Sequence, residues 1–119
     1  MLVSDCPFPI VLGRPDAVPL QSSGVARAVP PDATDPDVGA DRVPAGGVPV
    51  RVYVEPSAIV GLPHTLPAGA EGAVVPLAVA SAMRYGGHTR PYRIFTPAPL
   101  REEGGVKYAP YLLEHVFLK

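Results

Sequence analysis

A chain of 119 residues with a formal net charge of −1 is one small domain, or a small domain with arms, and it lacks the basic excess of a general nucleic-acid binder. Its 47% hydrophobic content excludes wholesale disorder, while 17 prolines and 12 glycines exclude long helices almost everywhere. The single cysteine, Cys6, excludes an internal disulfide and any multi-cysteine metal site within one chain.

The opening stretch MLVSDCPFPIVLG has no basic leading region and sets Asp5 and two prolines where a secretory signal needs an apolar run. No stretch approaches the roughly 18 uninterrupted apolar residues of a membrane helix. The expectation is a soluble, non-secreted protein, cytoplasmic or carried in a virion. Residues 8–20 are apolar but interrupted at Pro9, Pro15 and Pro19, so only Ile10, Val11 and Leu12 predict a short strand. GVARAV (24–29) alternates weakly and predicts another.

The next stretch, PPDATDPDVGADRVPAGGVP (30–49), carries Asp32, Asp35, Asp37 and Asp41 among prolines. A calcium loop of the helix–loop–helix type needs a glycine at its sixth position and a glutamate at its twelfth. Counting from Asp35, those places hold Ala40 and Gly46, and Pro30, Pro31 and Pro44 forbid flanking helices. The ligand pattern fails, and the stretch reads as an acidic, stiffened tether with a Gly-Gly hinge before the next strand.

VPVRVYVEP (48–56) has strict period-two alternation, with Val48, Val50, Val52 and Val54 on one face and Pro49, Arg51, Tyr53 and Glu55 on the other. It predicts a half-buried strand at a sheet edge. SAIVGLPHTLPAGAEG (57–72) is a short apolar run followed by a turn-rich loop. AVVPLAVASAMRYGG (73–87) predicts a helix over about 76–85, with Pro76 at its first position, Arg84 in its last turn and Gly86 as its cap. A buried strand through AVV or LAVA competes, because the run has no polar face. RPYRIFTP (90–97) predicts a strand, and PAPLREEGG (97–105) a connector with a flexible Gly-Gly. VKYAPYLLEHVFLK (106–119) suits either a strand or a helix begun by Pro110. The expected fold is mainly β or small α+β: a compact antiparallel sheet or barrel-like domain over 48–119 with one short helix, preceded by a long, extended, proline-rich arm over 1–47.

Chemistry is sparse in this pattern. His64, His88 and His115 lack the short pair spacing of zinc ligands, so neither a metal nor another cofactor is expected. Asp5 raises rather than lowers the pKa of Cys6, and no serine sits in a nucleophile elbow, so no catalytic residue is nominated. An enzyme would need His88 or His115 to meet Glu102, Glu103 or Glu114. The cluster RYGGHTRPYR is the candidate contact site: Arg84, Tyr85, His88, Arg90, Tyr92 and Arg93 alternate cations with aromatic faces around a Gly-Gly turn. Such a set suits an anion or a nucleic acid, or the acidic residues of another subunit. The glycines follow the helix, whose C-terminal end repels anions, and this favours either a helix cap, a turn and a strand with arginines on its exposed face, or the protein contact. The function expected is a non-enzymatic structural or interaction subunit of a large assembly, with small virion proteins that stabilise capsids or join head to tail as the nearest class. Its partners are other protein subunits, met through the N-terminal arm and sheet edges, with neither nucleic acid nor membrane. The alternative is a small anion- or nucleic-acid-binding module built on residues 84–93.

Overall fold

Residues 72–87 build the centre of the fold, because GAVVPLAVASAMRYGG contains a strand and a helix joined at a proline. In the computed structural model, which describes residues 1–29, 41–51 and 56–117, the elements run in this order. Strand β1 is Leu2–Ser4, β2 Arg27–Val29, β3 Asp41–Ala45, β4 Val48–Arg51 and β5 Ala58–Val60. Strand β6 (Gly72–Val74) leads into helix α1 (Leu77–Gly86), followed by β7 (Arg93–Pro97), β8 (Arg101–Glu103), β9 (Val106–Tyr108) and β10 (Leu112–His115). The fold is mainly β with one short helix, a small α+β architecture with no closed barrel among the described residues. No described helix is long and apolar enough to cross a membrane.

The main sheet has the order β1-β6-β7-β10. Its first three strands are parallel, with Leu2 opposite Gly72 and Gly72 opposite Arg93, and β10 closes it antiparallel to β7. The sheet is therefore mixed, not purely antiparallel as the sequence suggested. Parallel pairing needs a crossover, and α1 supplies one between β6 and β7.

Both readings of AVVPLAVASAMRYGG hold, in succession. Pro76 is the N-cap of α1, one residue before the place expected of it, in an extended conformation (φ −61°, ψ 149°). Its carbonyl accepts from the Val79 and Ala80 amides at 3.0 and 3.3 Å. At the other end Gly87, not Gly86, takes the left-handed conformation (φ 68°). The Gly87 amide bonds to the Arg84 carbonyl and the His88 amide to that of Met83, so the last turn leaves few carbonyls orphaned.

Alternation in the strands divides the core into two layers. Ala73, Val75 and Ile94 face α1 and pack on Val79, Ala80 and Met83, with Ala26 and Leu62 beside them. Val74 and Phe95 face the other way, onto Cys6 and Ile10, with Leu2, Leu12 and Leu20 at the margin. Because both faces of β6 are covered, its run needs no polar position.

The sheet draws on both sides of the division placed at residue 47. The β1 strand comes from the first segment and pairs with β6, and the Asp5 amide continues the ladder to the Val74 carbonyl at 2.9 Å. Ile10 and Leu20 bond reciprocally, and residues 11–13 are tied to Ala109. Strand β2 pairs antiparallel with β5. The aspartates Asp32, Asp35 and Asp37 lie outside the described residues.

Two hairpins complete the fold, β3–β4 turning at Gly46-Gly47 and β8–β9 at Gly104-Gly105. All four glycines have positive φ, as a two-residue turn matched to strand twist requires. The presumed hinge and the presumed flexible connector are thus tight turns. The expectation of a half-buried valine face in the fourth strand is corrected at its start: Val48 is 62% exposed. The β3–β4 pair forms a sheet of two strands, separate from the main one. Val52 and Val54 lie outside the described residues. The undecided C-terminal stretch forms β9 and β10, with Tyr111 following Pro110 into the second strand.

Candidate functional site

Three of the six nominated residues turn their polar groups inward. Arg90 donates from Nε to the Pro63 carbonyl at 3.0 Å and from a terminal nitrogen to the Leu62 carbonyl at 3.2 Å. The Tyr92 hydroxyl donates to the same Pro63 oxygen. The planar guanidinium fork reaches two successive carbonyls, and so fastens the 61–66 loop against the start of β7. Burial pushes the Tyr92 phenol above its usual pKa, with the Arg90 charge opposing it. His88 donates from Nε2 to the Ser57 carbonyl at 2.7 Å, joining the end of α1 to the start of β5.

Arg93 faces the opposite side of the sheet. It holds Glu114 with two bonds, 2.7 Å from Nε and 3.0 Å from a terminal nitrogen, and its guanidinium lies 4.9 Å from the Phe95 ring centre. The pairing lowers the Glu114 carboxyl pKa and raises that of the guanidinium. Arg84 and Tyr85 stand exposed on the last turn of α1. The six residues are close in sequence, but four of them serve three separate contacts and Arg84 and Tyr85 stand apart from all three.

The structure brings His88 and His115 to one cleft of about 630 Å³ between α1 and the end of β10. Leu77, Ala80 and Phe117 line its apolar part, with Ser81, Arg84 and Thr89 at its polar part. His115 shares a 2.7 Å hydrogen bond with the Thr96 hydroxyl. That hydroxyl is no accessible nucleophile, since Thr96 is 1% exposed, and the bond ties β10 to β7. Glu114 projects from the other face of β10, as successive residues must, and is engaged by Arg93. The acid–base pair an enzyme would need is not assembled from His115 and Glu114.

A second groove, about 350 Å³, opens where β1, β6 and β7 end. Sequence reasoning missed it. Its walls are Pro7, Pro76, Pro97 and Pro99, and the large side chains at its rim are Phe8, Leu77 and Leu100. Those three are 57%, 61% and 55% exposed, so the rim is an apolar surface presented to solvent. The available signal was each apolar residue standing beside a proline at the end of a strand-like run: Pro7-Phe8, Pro76-Leu77 and Pro99-Leu100. At its base Cys6 is 2% exposed, with its sulfur 3.7 Å from the Val74 carbonyl oxygen. Burial raises the thiol pKa, the Ser4 hydroxyl opposes that, and the Asp5 charge adds to it, so the thiolate is disfavoured.

Among the described residues Asp5 is the one buried charged side chain, at 3% exposure. Its Oδ2 has no hydrogen-bond partner among the described residues, and burial raises its pKa. Among the described residues no three His, Cys, Asp or Glu side chains converge as a metal site would require. No protein-family model matches the chain, and comparison with curated proteins and with solved structures finds no match.

Proposed function

We propose that the chain is a non-enzymatic interaction subunit of a larger protein assembly, and that it docks an apolar segment of another subunit in the groove rimmed by Phe8, Leu77 and Leu100. The observation that carries this reading is the concentration of three exposed large apolar side chains around one proline-walled recess. Prolines hold such a recess in shape before a partner arrives, which reduces the ordering cost of binding. The recess has no charged residue in its lining, and its one thiol is kept protonated by burial. Its occupant is therefore a branched or aromatic apolar side chain on a neighbouring protein, not a charged substrate.

The test is made at native abundance in the cells that make the protein. The tagged chain is expected to travel in a particle far heavier than two 12.4 kDa copies. A photoreactive phenylalanine analogue in place of Phe8 is expected to cross-link to a protein of that particle. Leu77→Asp with Leu100→Asp is expected to abolish both results while the far-UV circular dichroism stays unchanged. A chain that elutes from native extracts as one or two copies overturns the reading, as does a particle that survives the double substitution.

A further inference from the structure

The two edges of the main sheet are finished differently. The outer edge of β1 is covered at its end: the Ser23 amide donates to the Ser4 carbonyl at 2.8 Å, and just past the strand the Ala26 amide donates to that of Asp5 at 2.8 Å. The outer edge of β10 has no strand or bridge against it among the described residues. The ladder fixes which groups that edge displays. The Ala98 amide donates to the Tyr111 carbonyl, so the pairs Thr96–Leu113 and Ile94–His115 are the hydrogen-bonded ones. The amides and carbonyls of Leu112 and Glu114 therefore point outward.

We infer that β10 pairs with β10 of a second copy of this chain, antiparallel across a two-fold axis at Leu113. This extends the expectation of contact through sheet edges and is independent of the groove reading. With the axis at Leu113, Leu112 of one copy meets Glu114 of the other, and both displayed amide–carbonyl pairs are satisfied. Leu113 meets its own symmetry mate at a non-hydrogen-bonded position, where side chains come closest. Tyr111 falls opposite His115 of the second copy, at the mouth of the cleft between α1 and β10.

Three features favour this occupant over an unrelated strand. Tyr111 and Leu113 are 55% and 43% exposed, and in this register they form one self-complementary stripe. The sole charge on β10, Glu114, is already neutralised by two bonds from Arg93, so like charges do not oppose the pairing. No lysine or proline interrupts residues 112–115, the devices that usually guard an edge. Because the axis is normal to the sheet, both α1 helices lie on one face. The eight-stranded sheet then carries a trough between them, floored by the two Leu113 and two Tyr111 side chains.

Sedimentation equilibrium of the purified full-length chain tests the dimer. The expected mass is twice 12.4 kDa, falling to half for Leu113→Lys, which sets two ammonium groups against each other at the axis. Leu113→Cys tests the register even where the lysine variant fails to fold. Air oxidation is expected to join two copies through residue 113, whereas Leu112→Cys, displaced from its own symmetry mate, stays monomeric on a non-reducing gel. Monomer mass at every concentration up to the millimolar range overturns the proposal. So does a dimer that Leu113→Lys leaves intact, or equal cross-linking through 112 and 113.

Discussion

Strands β6 and β4 are both short and apolar, Gly-Ala-Val against Val-Pro-Val-Arg, yet they live in different surroundings. Every residue of β6 is buried, whereas Val48 at the start of β4 is 62% exposed. The difference lies in neighbours, not in hydrophobicity. Strand β6 has a parallel partner on each side, the α1 layer over one face and the Cys6–Ile10 layer over the other. Among the described residues, strand β4 pairs only with β3. A valine contributes to stability through the water-exposed area it loses on folding, and a side chain in a two-stranded pair loses much less of it.

Truncation should expose that contrast most strongly. Met83, fully buried between α1 and the sheet, is expected to lose about 2–5 kcal/mol on change to Ala, from lost transfer energy and the cavity left behind. Val48→Ala is expected to lose less than about 0.5 kcal/mol. Urea denaturation of both variants measures the gap. Equal losses would mean that the β3–β4 pair belongs to the cooperative core.

Glycines sharpen the same contrast. A Cβ on Gly86 would collide with the Ser57 carbonyl oxygen and the His88 ring, so Gly86→Ala must lift the end of α1 from β5. The expected loss is about 1–3 kcal/mol, spread over the body. A Cβ on Gly104 meets nothing within 4 Å, and its cost is the left-handed conformation alone, about 1 kcal/mol. Amide exchange should place that second loss in β8 and β9 only.

Much of the body was legible in the sequence. The helix expected over 76–85 forms over 77–86, and the strand sought in 90–97 forms over 93–97. Proline, arginine and glycine punctuation made this possible, because each acts through backbone geometry within a few residues. The two hairpins were within reach, since DRVPA-GG-VPVR and REE-GG-VKY each carry the two-residue turn signal. A Gly-Gly pair can loosen a chain or direct it, and the expectation of a hinge and a flexible connector rests on the first property where the structure uses the second. Less accessible was the place of β1, since parallel pairing to β6 joins residues about seventy positions apart and leaves no local pattern. Of the site, residue types were legible but partners were not. Nothing local announces that Arg90 reaches the Leu62 and Pro63 carbonyls or that Arg93 meets Glu114.

Asp5 is a polar exception inside the body, and its effect should depend on pH. Burial raises its carboxyl pKa above the ordinary 3.8, so folding favours the protonated form. The stability it contributes is full below that ordinary value and is lost as pH rises through the raised one. Asp5→Asn removes the charge, and at neutral pH it is expected to stabilise the protein by on the order of 1 kcal/mol. On acidification below the ordinary carboxylate range the difference should vanish. A stabilisation that persists unchanged in acid would show that packing, not ionisation, is at issue.

Glu114 gives the smallest expected effect and the opposite sign, and it places β10 between the two kinds of strand. Like β4, β10 has one neighbour, but a two-toothed ion pair fastens its outer face to β7. Arg93 lowers the Glu114 pKa, so the pair stabilises the fold above the ordinary glutamate value, and that contribution is lost as pH falls through the lowered one. Glu114→Gln should therefore lower the melting temperature slightly at neutral pH and not at all in strong acid. Because the pair is exposed, high salt should shrink the difference as well. A loss insensitive to both pH and salt would mean that the charge pair contributes nothing measurable and that β10 is held by its ladder to β7, by Leu112 and by the Thr96–His115 bond.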